Sequence, residues 1–428
     1  MIFNNHDCEK INIRALFSIC AVATLLVVLS LFWRESLWAF GLFVLVELLV
    51  QYSLSIFILF YILPFATLLR YTPESMSLFT LLCFAEVVIL LVHRRRINAY
   101  LCLILVILTG FVVLTCRENY TEATKLLMSI LLFDLFQYER TEQDERAIGF
   151  SFSLGVLVSS FLAIWKDKIP RLMSMYTEID YVYLSSGRVR RFSGTFQDPN
   201  YYTVAIILAI TFIECKKGKM ERKEAGLLSL MQCVLLLFGS ITYSKSFFLM
   251  FIFMSIYLLL RYRSKKRILM CLLFGCAAVA IYVLDPFGII GTVIERFMSE
   301  NLTTGRVEIW GLYSKKIFED TVRFFVGNGI GERLQHAAHN TWLQMLYEIG
   351  FIGSFFTLAA VIHVIRVNRS IIKRDTANYS GYLILVVMFS FLNGLTSYEL
   401  PFYLTLVNTI YNGDLRILGK DNENMGVN

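Results

Sequence analysis

Residues 15–33 read ALFSICAVATLLVVLSLFW and hold no charged side chain. A helix crossing the ~30 Å hydrocarbon layer needs about 20 such residues in succession, and this run supplies nearly all of them. Comparable runs follow at roughly 36–52, 53–69, 77–92, 98–115, 123–138, 148–165, 199–214, 225–243, 247–260, 268–284, 341–365, 380–396 and 400–412. By length they amount to about 14 crossings, or about 12 if 36–69, where two helices leave almost no turn, divides differently. None of the runs alternates with a period of two, so a closed barrel is excluded. The expected fold is all-α: a polytopic transmembrane helix bundle with two long external loops.

Composition agrees. The 428-residue chain is 57% hydrophobic, only 17% of it is charged, and its mean hydropathy is +0.62. A soluble domain carries about 25% charged residues. The net charge of +7 does not form a stripe that would fit nucleic acid. Its basic residues sit in short clusters between apolar runs, as the positive-inside bias places them. The nine cysteines, Cys8 apart, lie in or beside apolar segments, and none forms a CxxC pair. That is the usage of packed or lipid-facing thiols. The first run follows Lys10 and Arg14 without a small-residue cleavage site, so it reads as a retained anchor.

Four basic clusters, His93–Arg96, Lys216–Lys223, Arg261–Arg267 and Arg366–Arg374, fall on one side by alternation, and that side is expected to be the cytoplasm. The acidic stretch Glu139–Arg146 breaks the pattern. The expected division is N-terminal spans over 1–165, a first external loop over 166–198, central spans over 199–284, a large external loop over 285–340, and C-terminal spans with a cytoplasmic tail over 341–428. Any large site outside the membrane must come from those two loops.

Three stretches there carry chemistry. The first is Arg188-Val189-Arg190-Arg191-Phe192-Ser193-Gly194-Thr195-Phe196-Gln197-Asp198-Pro199-Asn200. Asp198 before Pro199 reads as an N-cap followed by proline at the first helical position. Three arginines beside that partly positive helix end favour an anion. The plainer reading, a juxtamembrane basic anchor, sits on the disfavoured side. The second stretch, Thr303-Thr304-Gly305, reads as a helix start followed by Arg306. Ile309, Trp310, Tyr313 and Ile317 then share a face, expected to lie on the bundle or the membrane surface. Arg306 in a first turn opposes the helix dipole unless an anion or an acid such as Glu308 compensates it. In the third, Asn340 caps a helix and puts His339 at its mouth, where it can act as base, acid or hydrogen-bond donor. His336 and His339 lack nearby acidic or thiol ligands, so no metal and no other cofactor is expected. Gly327-Asn328-Gly329-Ile330-Gly331 lacks the lysine of a phosphate loop and reads as a mobile turn. Lys245 sits at an outer helix end, snorkelling or adding charge to the same site.

In their order, Arg-x-Phe-Ser-Gly-Thr-Phe-x-Asp-Pro-Asn, Ser244-Lys245-Ser246, Gly305-Arg306 with Trp310, Gly327-x-Gly329-x-Gly331 and His339-Asn340 with Glu348-x-Gly350 resemble the O-antigen polymerase and ligase superfamily. The matched core covers about residues 185–355. The resemblance implies a metal-independent, GT-C-like membrane glycosyltransferase whose donor and acceptor are undecaprenyl-diphosphate-linked glycans, acting on the outer face of the cytoplasmic membrane, with a chain-length regulator as a further expected partner. It implies that Arg191 and Arg306 stabilise the leaving diphosphate and that His339 stands at the reacting centre. Arg188, Arg190, Lys245, Asp198 and Asn340 are then expected to bind the diphosphate or glycan. Lys245 stands where the family often has arginine, and the motif alone leaves Arg190 and Arg191 undecided. Polymerase is preferred over ligase. A transporter or flippase would need polar residues lining a path at midplane, and Glu47, Glu86 and Asp134 are few and scattered.

Overall fold

The computed structural model describes residues 13–72, 75–94, 98–115, 119–137, 142–174, 181–184, 187–196, 198–217, 222–261, 291, 305–369, 397 and 399–408. The expected spans at 268–284 and 380–396, and Thr303 and Thr304, lie outside them. The fold is helical: α1 (Ile13–Ser30), α2 (Ser36–Val50), α3 (Ser55–Ile62), α4 (Leu78–Arg94), α5 (Ala99–Thr115), α6 (Tyr120–Leu135), α7 (Glu142–Ala163), α8 (Pro170–Met173), α9 (Pro199–Lys217), α10 (Arg222–Ser240), α11 (Lys245–Arg261), α12 (Arg306–Glu319), α13 (Thr321–Val326) and α14 (Thr341–Arg369). Residues 400–408 are helical as well. Among the described residues, three helical segments are long and apolar enough to cross a membrane: Arg146–Ala163, Lys223–Ser240 and Thr341–Val367. Shorter apolar helices accompany them.

One expected span takes another form. Residues 53–69 do not make a single long helix. Pro64 lacks the N–H an α-helix interior needs, so α3 ends at Ile62 and a 3-10 turn, Leu63–Phe65, follows. Every residue of α3 is buried. It is a core helix, packed against α7, α1, α2 and α4. α7 also packs against α9, which contacts α10 and α11.

Several helices are apolar on both their buried and their exposed faces. Phe40, Val44 and Leu48 of α2 are fully buried, while Leu42 and Leu49 on the same helix are exposed. Such a helix needs an apolar medium outside as well as inside.

The first long loop has unexpected order. β1 (Tyr181–Leu184) and β2 (Gly187–Arg190) form an antiparallel hairpin with Tyr183 opposite Arg188, a small strand element in a chain expected to be all-α. Arg171 of α8 donates to the carbonyls of Ser30, Leu68 and Arg70. Those of Ser30 and Leu68 end a helix and a turn, so one guanidinium covers carbonyls that would otherwise lack donors.

Candidate functional site

The segment after β2 turns inward. Arg191, Ser193, Thr195 and Phe196 are buried. Phe192 N–H donates to Ile241 O at 3.1 Å, and Thr195 Oγ1 donates to Pro64 O. Gly194 has φ +58°, and a Cβ there would lie 2.5 Å from the Tyr202 ring, so the tight turn requires glycine. Tyr202 stacks edge-on with Phe192 at 5.6 Å and shares a 2.6 Å hydrogen bond with Ser160.

Neighbouring arginines part company here. Arg190 is half-exposed and pairs bidentately with Asp167, just beyond α7. Arg191 points inward: Nε donates to Thr242 O at 3.1 Å and a terminal nitrogen to Asn200 Oδ1 at 3.4 Å. The inner position that the motif leaves undecided is therefore Arg191. Arg188 lies on β2, and its side chain is outside the described set. Lys166, also buried, donates to Ser193 Oγ at 2.9 Å.

Asn200 is a junction. The same Oδ1 accepts from Ser244 Oγ at 2.9 Å, while the Asn200 N–H donates to Asp198 Oδ1 at 2.7 Å. Asp198 is thus the N-cap of α9, as its sequence position indicates. Ser244 precedes Lys245, the half-buried first residue of α11, so the amino ends of α9 and α11 are bonded to one another. Between Thr242 and Ser244, Tyr243 adopts φ +48°, a left-handed conformation uncommon for a bulky side chain. That backbone delivers the Thr242 carbonyl to Arg191 and the Ser244 hydroxyl to Asn200.

Two further helix starts meet this junction. Gly305 (φ +73°) precedes Arg306, the first residue of α12. Burial lowers the Arg306 guanidinium below its ordinary value, and the Asp198 carboxylate opposes that shift. Asp198, from the first loop, is thus the acid that answers the dipole cost of Arg306. His339 is also lowered, first by burial and next by Arg306, with Asp198 acting the other way and Arg333 and His336 adding to the depression. Asp198, Arg306 and His339, from three distant segments, share one electrostatic environment. Asn340 caps α14, its Oδ1 accepting from Trp342 N at 3.0 Å and Leu343 N at 3.2 Å.

His339 has φ +47°. The chain before it is held by α12: Trp310 Nε1 donates to Ala338 O at 2.9 Å and Tyr313 Oη to His336 O at 2.9 Å. Tyr313 and Ile317 are buried with Ile309 beside them, so the expected apolar face of α12 docks on 334–347. The glycine segment is not a loose turn. α14 kinks at Gly350 (φ +62°), which leaves carbonyls of the preceding turn without helical donors. Asn328 N and Gly329 N supply them, bonding Tyr347 O at 2.8 Å and Glu348 O at 2.9 Å. The buried Glu348 carboxylate then accepts from Gly331 N at 2.8 Å and Gln344 Nε2 at 2.6 Å.

Four helix amino ends and the charges of Arg191 and Arg306 therefore gather around Asn200, Asp198 and His339. Such an arrangement holds an anion through backbone N–H groups and guanidinium forks. Among the described residues no three His, Cys, Asp or Glu side chains cluster as metal ligands would. In the sequence, Asn200 and Ser244 stand out only as members of the Asp-Pro-Asn and Ser-Lys-Ser motifs, without a role of their own, and Thr242 carries no signal.

No protein-family model matches the chain, and no curated protein matches it significantly.

Proposed function

We propose that this chain is a multi-pass glycosyltransferase of the cytoplasmic membrane that polymerises lipid-linked oligosaccharide repeat units, with its site on the outer face. The observation that carries this reading is the meeting of Arg191 with Asp198, Arg306 and His339 through Asn200. A diphosphate ester of a membrane lipid is the anion best suited to two arginines at the mouths of apolar helices. Helices apolar on both faces support the membrane setting. The basic clusters support the outward orientation.

In this mechanism Arg191 and Arg306 hold the diphosphate of an undecaprenyl-linked donor. The bond between the anomeric carbon and the phosphate oxygen breaks, and its electron pair leaves with the diphosphate. Charge grows on that oxygen in the transition state, where preorganised guanidinium groups lower the barrier. The hydroxyl of a second lipid-linked unit bonds to the anomeric carbon. Its proton passes to His339, which burial and Arg306 keep neutral and able to accept it.

Deletion of the gene, followed by gel analysis of surface glycan, separates the possibilities. A single repeat unit on its anchor is the expected result. Full-length chains retained on the carrier lipid would identify a ligase, and loss of all surface glycan an exporter. Complementation with Arg191→Ala, Arg306→Ala or His339→Ala leaves the protein in the membrane and fails to restore long chains. Normal chain lengths with all three would overturn the assignment.

A further inference from the structure

The outer surface of α12 and α13 carries an apolar ridge that the proposed reaction does not use. Val307 and Phe318 are exposed and stand eleven residues apart, which places them about 20° from one another around a helix. Gly311 and Ser314 lie between them on the same stripe. Glu308, Lys315 and Glu319 follow a neighbouring stripe, with Leu312 among them. The ridge continues into α13, where Val322 and Phe325 are exposed. Phe318 is 70% exposed and Val322 69%, large apolar side chains left open on consecutive helices.

The ridge leads somewhere definite. Phe318 stacks on Phe324 at 5.5 Å, and Phe324 stacks on Phe351 of α14 at 5.9 Å. Residues 344–350 of α14, up to the kink, are mostly covered by protein. Between Phe351 and Ile362 the exposed apolar residues Phe351, Phe355, Leu358 and Ile362 have the spacing of a single helix face. The exposed edge of α12–α13 is thus the upward continuation of the face that a membrane-spanning α14 turns to lipid.

We infer that the corner formed by α12 and α13 is immersed in the bilayer, with Phe318, Val322 and Phe325 among the acyl chains and Lys315, Glu308 and Glu319 towards the water. The inference rests on α14 as a span and not on glycosyl transfer. Immersion fixes the height of α12 relative to the membrane. Arg306 at its first residue is thereby held where a lipid-borne anion arrives.

The test places the photoreactive benzoylphenylalanine singly at positions 308, 315, 318, 325 and 355 of the full chain, irradiates native membranes, and identifies adducts by mass spectrometry. Phe318, Phe325 and Phe355 are aromatic already, so the replacements are conservative. Lipid adducts are expected at 318, 325 and 355 and lost at 308 and 315. Lipid at 355 with none at 318 and 325, or protein adducts at those two, overturns the immersed corner while leaving α14 as a span. No lipid at 355 overturns both. Because the readout is a lipid adduct, an unexpected reaction specificity leaves it unaffected.

Discussion

Gly327 and Gly350 occupy one another's side-chain space: a Cβ on Gly327 would lie 2.6 Å from Gly350 N, and a Cβ on Gly350 would lie 2.5 Å from Gly327 N. Both also have positive φ, +84° and +62°. Gly327→Ala and Gly350→Ala are each expected to cost about 1–3 kcal/mol from backbone strain alone. Thermal unfolding in detergent should show a lowered Tm for either. An unchanged Tm in both would mean that the glycine segment does not dock on the α14 kink.

Asn200 offers a different kind of test. Its Oδ1 accepts from both Arg191 and Ser244, so Asn200→Leu takes an acceptor away from a buried guanidinium and from a buried hydroxyl. The expected loss is about 1–3 kcal/mol, again read as Tm. Asn200→Asp should fold, because a carboxylate accepts the same bonds. It would neutralise Arg191, however, and gels of surface glycan should show shortened chains. Full-length chains with Asn200→Asp would argue against an anion at Arg191.

For pH the sign follows from His339. Its pKa is depressed in the fold, by burial before Arg306, so the folded state sheds this proton more readily than the unfolded chain, whose value is about 6.5. Stability from this group is present above the unfolded value and is lost as pH falls through the folded one. Polymerisation that needs the neutral imidazole should persist below pH ~6.5 before declining. Arg333 also depresses His339. Arg333→Gln should shift the acidic limb of the rate profile towards higher pH; a shift the other way would exclude His339 as the group observed.

Arg306→Lys preserves charge but not the planar fork. If Arg306 grips two phosphate oxygens together, the lysine variant should fall well short of wild-type chain length. Recovery of full length would reduce Arg306 to a point charge.

The caps were legible because they are local. Asp198-Pro199 and Asn340 announce α9 and α14 through side chains that bond their own following N–H groups, which needs no knowledge of the rest of the molecule. The buried face of α12 was legible for the same reason. Pro64 was equally visible, yet the apolar run around it hides whether a segment meets lipid or protein, and α3 proved to be core. The hairpin at 181–190 and the tie between Asn200 and Ser244 depend on pairing across the chain, which hydrophobic period does not encode. The glycine segment misled because its partners, the carbonyls freed by Gly350, arise only once α14 bends.

The opposite headings of Arg190 and Arg191 have an evolutionary corollary. They form a two-step phase: one goes to Asp167, the next to Asn200. Replacing Arg190 removes its pair with Asp167, and replacing Arg191 removes its bonds to Thr242 and Asn200. Inserting or deleting one residue between β2 and Gly194 would exchange their headings while leaving the charge and composition of the segment almost untouched. Length there should be invariant in functional descendants of this sequence.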